Sequence, residues 1–257
     1  MTVAQSSLPN LPVTACTAQH RGDRSEQQDR VAVLQGRLAQ RCALGVLADG
    51  LGGRSGGALA AENVILATQN CFDRFVPAEE PPQRFFETLV NEVHTVLRLT
   101  AITSAKDPHS TFAAVLLQAD RVDWCHVGDS RIYHFRGREL MHVSSDHTYA
   151  RQLVSEGRLS PERAQLHPSA HMLVNSMGAK QRPQPEIGGI AEPCRDDSFL
   201  LCSDGLWAYF DAEELGRIIV SNSCRQAATA LIDGARKRAG GRGDNCSLVL
   251  MRLDPEA

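Results

Sequence analysis

Long apolar runs are missing from this chain, and none approaches the roughly 20 residues that a membrane-crossing helix needs. A strong charge of either sign is missing too. The formal net charge of −3 gives no basic surface for nucleic acid or an anionic membrane, so neither is expected as a partner. Aromatic residues are scarce at 5%, within an otherwise ordinary globular composition of 42% hydrophobic and 22% charged residues. The eight cysteines (16, 42, 71, 125, 194, 202, 224 and 246) include no C-x-x-C pair. Several sit inside apolar runs, which favours small buried thiols in a reducing compartment over disulfides or zinc, and a cytoplasmic location is expected. Residues 1–12 lack the basic start and apolar core of a signal peptide and are expected to form a disordered tail. No repeat, low-complexity block or linker divides the rest, so 13–254 is expected to be one domain.

What is present is a rhythm of short apolar runs and two helical stretches. Strands are expected at 13–18, 31–34 and 42–48, with a turn at 37–40. Ala61, Val64, Ile65, Thr68, Cys71, Phe72 and Phe75 recur at helical spacing, and a second helix carries Phe86, Leu89, Val90, Val93 and Leu97 on one face. Strands follow at 110–117, 122–127 and 132–135. Over 146–185 the pattern weakens to short helical pieces at 149–156 and 161–165, the profile of a lid or flap. A capping sequence at 211–214 opens one helix, Ala227 to Ala235 marks another, and 246–253 is the last strand. Helices and strands segregate more than they alternate. This predicts an α+β fold, a central β-sandwich of antiparallel sheets flanked by helices.

Four aspartates stand at the edges of these strands, each beside a glycine: Asp49-Gly50, Gly128-Asp129, Asp204-Gly205 and Gly243-Asp244. Asp-Gly is a common turn pair, and for any one of them a turn is the simpler reading. Four in matching context suggest one shared oxygen-lined site. Carboxylates without cysteine or histidine suit a hard cation, Mg²⁺ or Mn²⁺. In a partly buried site their mutual repulsion would be costly unless metal neutralised it.

The residues around these aspartates form an ordered set: R-S-E-Q-Q-D at 24–29, D-G-L-G-G at 49–53, S-T at 110–111, G-D-S-R at 128–131, D-H-T at 146–148, H-P at 167–168, S-D-G-L-W at 203–207 and G-D-N at 243–245. From about residue 14 to 253 the chain resembles the PP2C-type, metal-dependent protein serine/threonine phosphatases of bacterial kind. The resemblance implies a sandwich with a two-metal site, Mn²⁺ or Mg²⁺, at one end. By position, Asp49 would bridge both ions, the carbonyl of Gly50 would bind one, and Asp204 and Asp244 the other. Asp129 matches the place of a third, weaker ion, Asp29 would orient metal-bound water, and Arg24 would clamp the phosphate. A water or hydroxide bridging the two ions would attack phosphorus directly, with no phosphoenzyme. Phosphorylated proteins and an opposing serine/threonine kinase are the implied partners, and a monomer is expected.

The chain departs from that pattern in places. Leu51 stands where many members carry a histidine that protonates the leaving alkoxide, and a metal-bound water or His147 are the alternatives. Gln27 and Gln28 replace Asn and Glu. Ser130, Arg131 and Trp207 are read as structural, and the basic stretch at 236–242 as charge at a helix C-terminus rather than a docking site. Two other readings stand beside the protein phosphatase: a silent binding module, which the retained aspartates disfavour, and a phosphatase of small phosphomonoesters.

Overall fold

A computed structural model of the chain describes residues 1–8, 13–36, 41–51, 56–77 and 79–253. In chain order the strands and helices are β1 (Thr2–Leu8), β2 (Val13–His20), β3 (Asp29–Gln35), β4 (Ala43–Asp49), α1 (Gly57–Phe72), α2 (Pro82–Ser104), β5 (Phe112–Leu117), β6 (Arg121–Val127), β7 (Arg131–Arg136), β8 (Glu139–Val143), α3 (Tyr149–Ser155), α4 (Pro161–Gln165), β9 (Glu186–Ala191), β10 (Asp197–Cys202), α5 (Asp204–Trp207), α6 (Ala212–Ser221), α7 (Cys224–Ala239) and β11 (Cys246–Leu253). The strands form two antiparallel sheets, β1-β2-β11-β10-β7-β8 and β3-β4-β5-β6-β9.

Period-two alternation explains why both faces of each sheet are buried. In β4, Leu44, Val46 and Ala48 pack under α1 and α2, while Ala43 and Leu47 face the other sheet. In β11, Leu248 and Leu250 pack under α6 and α7, and Val249 and Met251 point back between the sheets. Three apolar layers result, one between the sheets and one beneath each helix pair. The order is helix, sheet, sheet, helix, as expected from the segregated pattern. Among the described residues no helix is long and apolar enough to cross a membrane.

One expectation needs correction, and two strands were not foreseen. Residues 2–8, assigned to a disordered tail, form β1, which pairs along its whole length with β2. An edge strand draws its stability from backbone pairing and needs few apolar side chains, so a polar sequence such as TVAQSSL hides it. Val3 nevertheless packs against the α7 side of the core, and Arg225 donates to its carbonyl at 3.2 Å. Strands β8 and β9 were missed for a similar reason, since both are sheet edges with mostly exposed or half-buried residues. The expected turn at 37–40, Gly52, Gly53 and residue 254 lie outside the described residues. Helices α3 and α4 occupy the two short helical pieces read in the 146–185 segment. None of the eight cysteines forms a disulfide, and all but Cys194 are buried.

Candidate metal centre

Antiparallel pairing gathers the expected residues at one end of the sandwich. Asp49 closes β4 and stands in register with Asp29, which opens β3. Asp129 lies two residues past the end of β6, Asp204 two past β10, and Asp244 two before β11. Alternating strand direction brings these strand ends together, although the residues are up to 215 positions apart. Arg24, Gln28, Asp49, Gly50, Leu51, Asp129, Asp204, Asp244 and Asn245 all line one cavity of about 260 Å³. Six of the seven expected site residues are among them. The seventh, Asp29, is fully buried behind the wall.

Close backbone approaches hold this end in place. A Cβ on Gly50 would lie 2.1 Å from the carbonyl oxygen of Gly57, so the start of α1 packs directly on the Asp49-Gly50 turn. A Cβ on Gly205 would meet the carbonyl oxygen of Asn245 at 2.0 Å, which fixes α5 against the segment entering β11. Hydroxyls support the carboxylates. The Asp49 amide donates to Thr111 Oγ1 (3.0 Å), and Ser110 Oγ donates to the Asp49 carbonyl (3.0 Å). Ser203 Oγ donates to Asp29 Oδ2 at 2.9 Å.

The loop carrying Arg24 is pinned from behind. Asn245 accepts from the Gln28 amide (2.6 Å) and donates to the carbonyls of Arg21 (2.7 Å) and Glu26 (2.9 Å). Asp23 accepts from both guanidinium nitrogens of Arg236 and from the Gly243 amide. Two arginines of the basic stretch at the end of α7 are thus engaged within the molecule, Arg236 with Asp23 and Arg238 with Glu214. Arg24 itself contacts Asp244 at 2.5 Å. Both partners are substantially exposed, so the pair is worth about 0–1 kcal/mol and is easily exchanged for another anion.

The electrostatics are those of crowded, buried anions. Burial, followed by the charges of Asp29, Asp204, Asp129 and Asp244, raises the Asp49 carboxyl far above the ordinary aspartate range. Burial likewise pushes Asp129 up to about 7, helped by Asp204 and Asp146. It lifts Asp29 to about 7 against the hydrogen bonds of Ser247 and Ser203. Asp204 rises for the same first reason, with Asp244 adding to it. Asp29 Oδ1 is buried and has no hydrogen-bond partner among the described residues. An all-oxygen carboxylate set with an orphaned acceptor behind it fits a hard divalent cation.

The remaining candidates are placed as structural elements. His147 does not line the cavity. Its Nδ1 accepts the Gly128 amide at 3.1 Å, its ring stacks on His126, and burial pushes it down to about 4. Although His126, His147 and Glu186 bring possible ligand atoms within 4.8 Å of one another, these two imidazoles are already engaged. The Gly128 bond occupies the His147 Nδ1 lone pair, and His126 Nε2 contacts the Ser145 carbonyl. Arg131 forks onto Asp146 with two 2.8 Å bonds and lies 3.6 Å from the ring centre of Trp207. Trp207, half-buried, packs against the core beneath α6 and α7 and donates to the Asp129 carbonyl.

Sequence reasoning missed three contributors. Asn245 was visible only as the companion of Asp244, Ser203 as part of a motif, and His171 of the 146–185 segment carried no signal at all. His171 is the one imidazole lining the cavity among the described residues.

Comparison with known proteins adds the family and the fold. The protein phosphatase 2C profile matches residues 16–239. Protein phosphatase PhpP of Streptococcus pneumoniae is 28% identical over 213 residues, covering 82% of this chain and 86% of that protein. Serine/threonine protein phosphatase PstP of Mycobacterium tuberculosis is 30% identical over 209 residues, 79% of this chain and 39% of PstP. The crystal structure of the PstP catalytic domain with two manganese ions superposes with a TM-score of 0.77 at 27% identity, covering 95% of this chain and 99% of that one.

Proposed function

The chain belongs to the protein phosphatase 2C family, and from that premise we propose that it removes phosphate from phosphoserine and phosphothreonine in proteins with the help of divalent metal. The observation that carries this reading is the convergence of Asp49, Asp129, Asp204 and Asp244 on one cavity that Arg24 also lines. PstP binds two manganese ions in its catalytic domain, and the oxygen donors here suit Mn²⁺ or Mg²⁺ equally. Asp49 and Gly50 would hold one ion, Asp49 with Asp204 and Asp244 a second, and Asp129 with Asp204 a third. When bound, the ions supply a water acidic enough to attack phosphorus directly and charge to match the phosphoryl oxygens.

The chain's own residues do the rest. Ser110 and Thr111 fix the Asp49 backbone, Ser203 orients Asp29 behind the site, and Arg24 stands at the mouth with a guanidinium able to grip two phosphoryl oxygens. Leu51 contributes only an apolar wall. A cysteine or serine nucleophile is unnecessary. The phosphorylated targets would be the products of a serine/threonine kinase, whose action this chain reverses.

The test is phosphate release from p-nitrophenyl phosphate and from a phosphothreonine peptide. Release with Mn²⁺, abolition by EDTA and loss of at least a hundredfold in Asp204→Ala are expected. Hydrolysis that survives EDTA, or full activity in the variant, refutes the assignment. Faster turnover of small phosphomonoesters than of every phosphopeptide would move the substrate class from proteins to metabolites.

A further inference from the structure

Beside the catalytic cavity lies a second one of about 530 Å³. His171 lines both, so the two spaces adjoin at a single side chain. They also share backbone. Arg131, on the wall of the second cavity, follows Asp129 by two residues, and Trp207 and Ala208 follow Asp204 at the end of α5. The segments that place two metal-site carboxylates therefore also build this neighbouring space.

Its chemistry differs from that of the catalytic cavity. The inner charges are already matched, because Arg131 and Asp146 form a two-bond fork and the Arg131 guanidinium covers one face of Trp207. The remaining wall is largely apolar and small: Ala150 and Val154 from α3, Pro161 and Ala164 from α4, and Ala170 beside His171. Arg151 is exposed and hydrogen-bonds Ser145. The backbone on the far side of His171 is held in place. Tyr149 donates to the Met172 carbonyl (2.8 Å), Thr148 bridges Leu173, and Val174 donates to the His147 carbonyl (3.0 Å). The boundary between the two cavities is thus tied to the start of α3.

We infer that this second cavity is a substrate subsite that receives an apolar side chain immediately flanking the phosphorylated serine or threonine. The inference rests on the phosphatase reading and adds a sequence preference to it. A protein substrate presenting phosphate to the metal site must lay its chain across the mouth, and neighbouring Cα atoms are about 3.8 Å apart. The adjoining cavity is therefore within reach of the next side chain. Trp207, Val154 and the alanines offer that side chain an apolar contact, so leucine or methionine fits, and lysine is further disfavoured by the exposed Arg151 on the same wall.

The experiment compares kcat/KM with Mn²⁺ on phosphothreonine peptides carrying Gly, Leu, Asp or Lys at the position before or after the phosphothreonine. Each value is divided by that for p-nitrophenyl phosphate, so a variant that only folds poorly lowers both and leaves the ratio intact. Leucine at one flanking position should exceed glycine by about tenfold, the discrimination given by burying part of a leucine side chain. Filling the pocket by Ala164→Phe, or independently by Val154→Trp, should bring the leucine-to-glycine ratio to within about twofold of unity. Equal rates for Gly and Leu at both positions overturn the subsite, as does a preference that neither variant changes. Failure to hydrolyse any phosphopeptide, with p-nitrophenyl phosphate still turned over, instead refutes the protein phosphatase reading from which the subsite follows.

Discussion

Asp129→Asn is expected to stabilise the metal-free protein at pH 8 and to leave its stability at pH 4 unchanged. Burial, with the charges of Asp204 and Asp146, raises the Asp129 carboxyl to about 7 from an ordinary 3.8. A carboxyl raised in the folded state holds its proton more tightly there than in the unfolded chain. Between those two values the native protein carries a proton that the unfolded chain has released, so stability falls as pH rises. The slope is about 1.4 kcal/mol per pH unit for each such group. The contribution is fully present below about pH 4 and gone above about pH 7. Across that window Asp129 alone accounts for at most about 4 kcal/mol. Only 7% of Asp129 is exposed, so solvent screens it little, but local relaxation and water entry reduce the effect to about 1–3 kcal/mol. Asparagine has nearly the same shape and no charge to lose. Urea unfolding in EDTA at pH 4, 5, 6, 7 and 8 measures the difference, which should grow steadily across the series. Asp29 and Asp49 act in the same direction, so the wild-type protein in EDTA should also lose stability over this range, and Mn²⁺ should restore it by mass action. An Asp129→Asn variant no more stable than wild type at pH 8, or a gap independent of pH, would refute the account of a carboxylate cluster held at the expense of fold stability.

Asn245→Ala removes three hydrogen bonds that fasten the Arg24 loop. A loss of about 2–3 kcal/mol in urea unfolding is expected, with KM for p-nitrophenyl phosphate rising more than kcat falls, and an unchanged KM counts against the pinning role. Thr111→Val deprives the Asp49 amide of its acceptor and should cost about 1–3 kcal/mol, read from the shift in urea midpoint. Arg24→Ala should alter stability by no more than about 1 kcal/mol, because its pair with Asp244 is exposed, yet lower kcat/KM by about tenfold or more. Wild-type kcat/KM in that variant would remove Arg24 from phosphate binding.

The helices and interior strands were legible because burial writes a period into a sequence. Leu44, Val46 and Ala48 alternate with Ala43 and Leu47 in β4, and α2 repeats Phe86, Leu89, Val90 and Val93 on the face it buries. β1, β8 and β9, at sheet edges, show little of that period and went unread, whereas the edge strand β3 was legible because Val31 and Val33 alternate toward the core between the sheets. The aspartates were legible through their glycines, and those glycines prove necessary where another backbone passes within contact, as Gly57 does at Gly50. Asn245 acts through backbone groups of a loop some 220 residues earlier, and no local pattern encodes such a partner. For His147 too, the sequence could not name the partner, the Gly128 amide that its ring holds.

By itself the sequence determined the inventory: the element types, the layered class, the carboxylates and an all-oxygen donor chemistry with no nucleophilic cysteine. Those properties depend on residue type and local spacing, which a chain carries before it folds. Only the tertiary structure decided that Asp29, Asp49, Asp129, Asp204 and Asp244 share one end of the sandwich, that Arg24 pairs with Asp244, and that His171 stands between two cavities. The reason is antiparallel pairing. It places strand ends distant in sequence side by side, and so sets both the crowding that raises the carboxylates and the position of the space next to them.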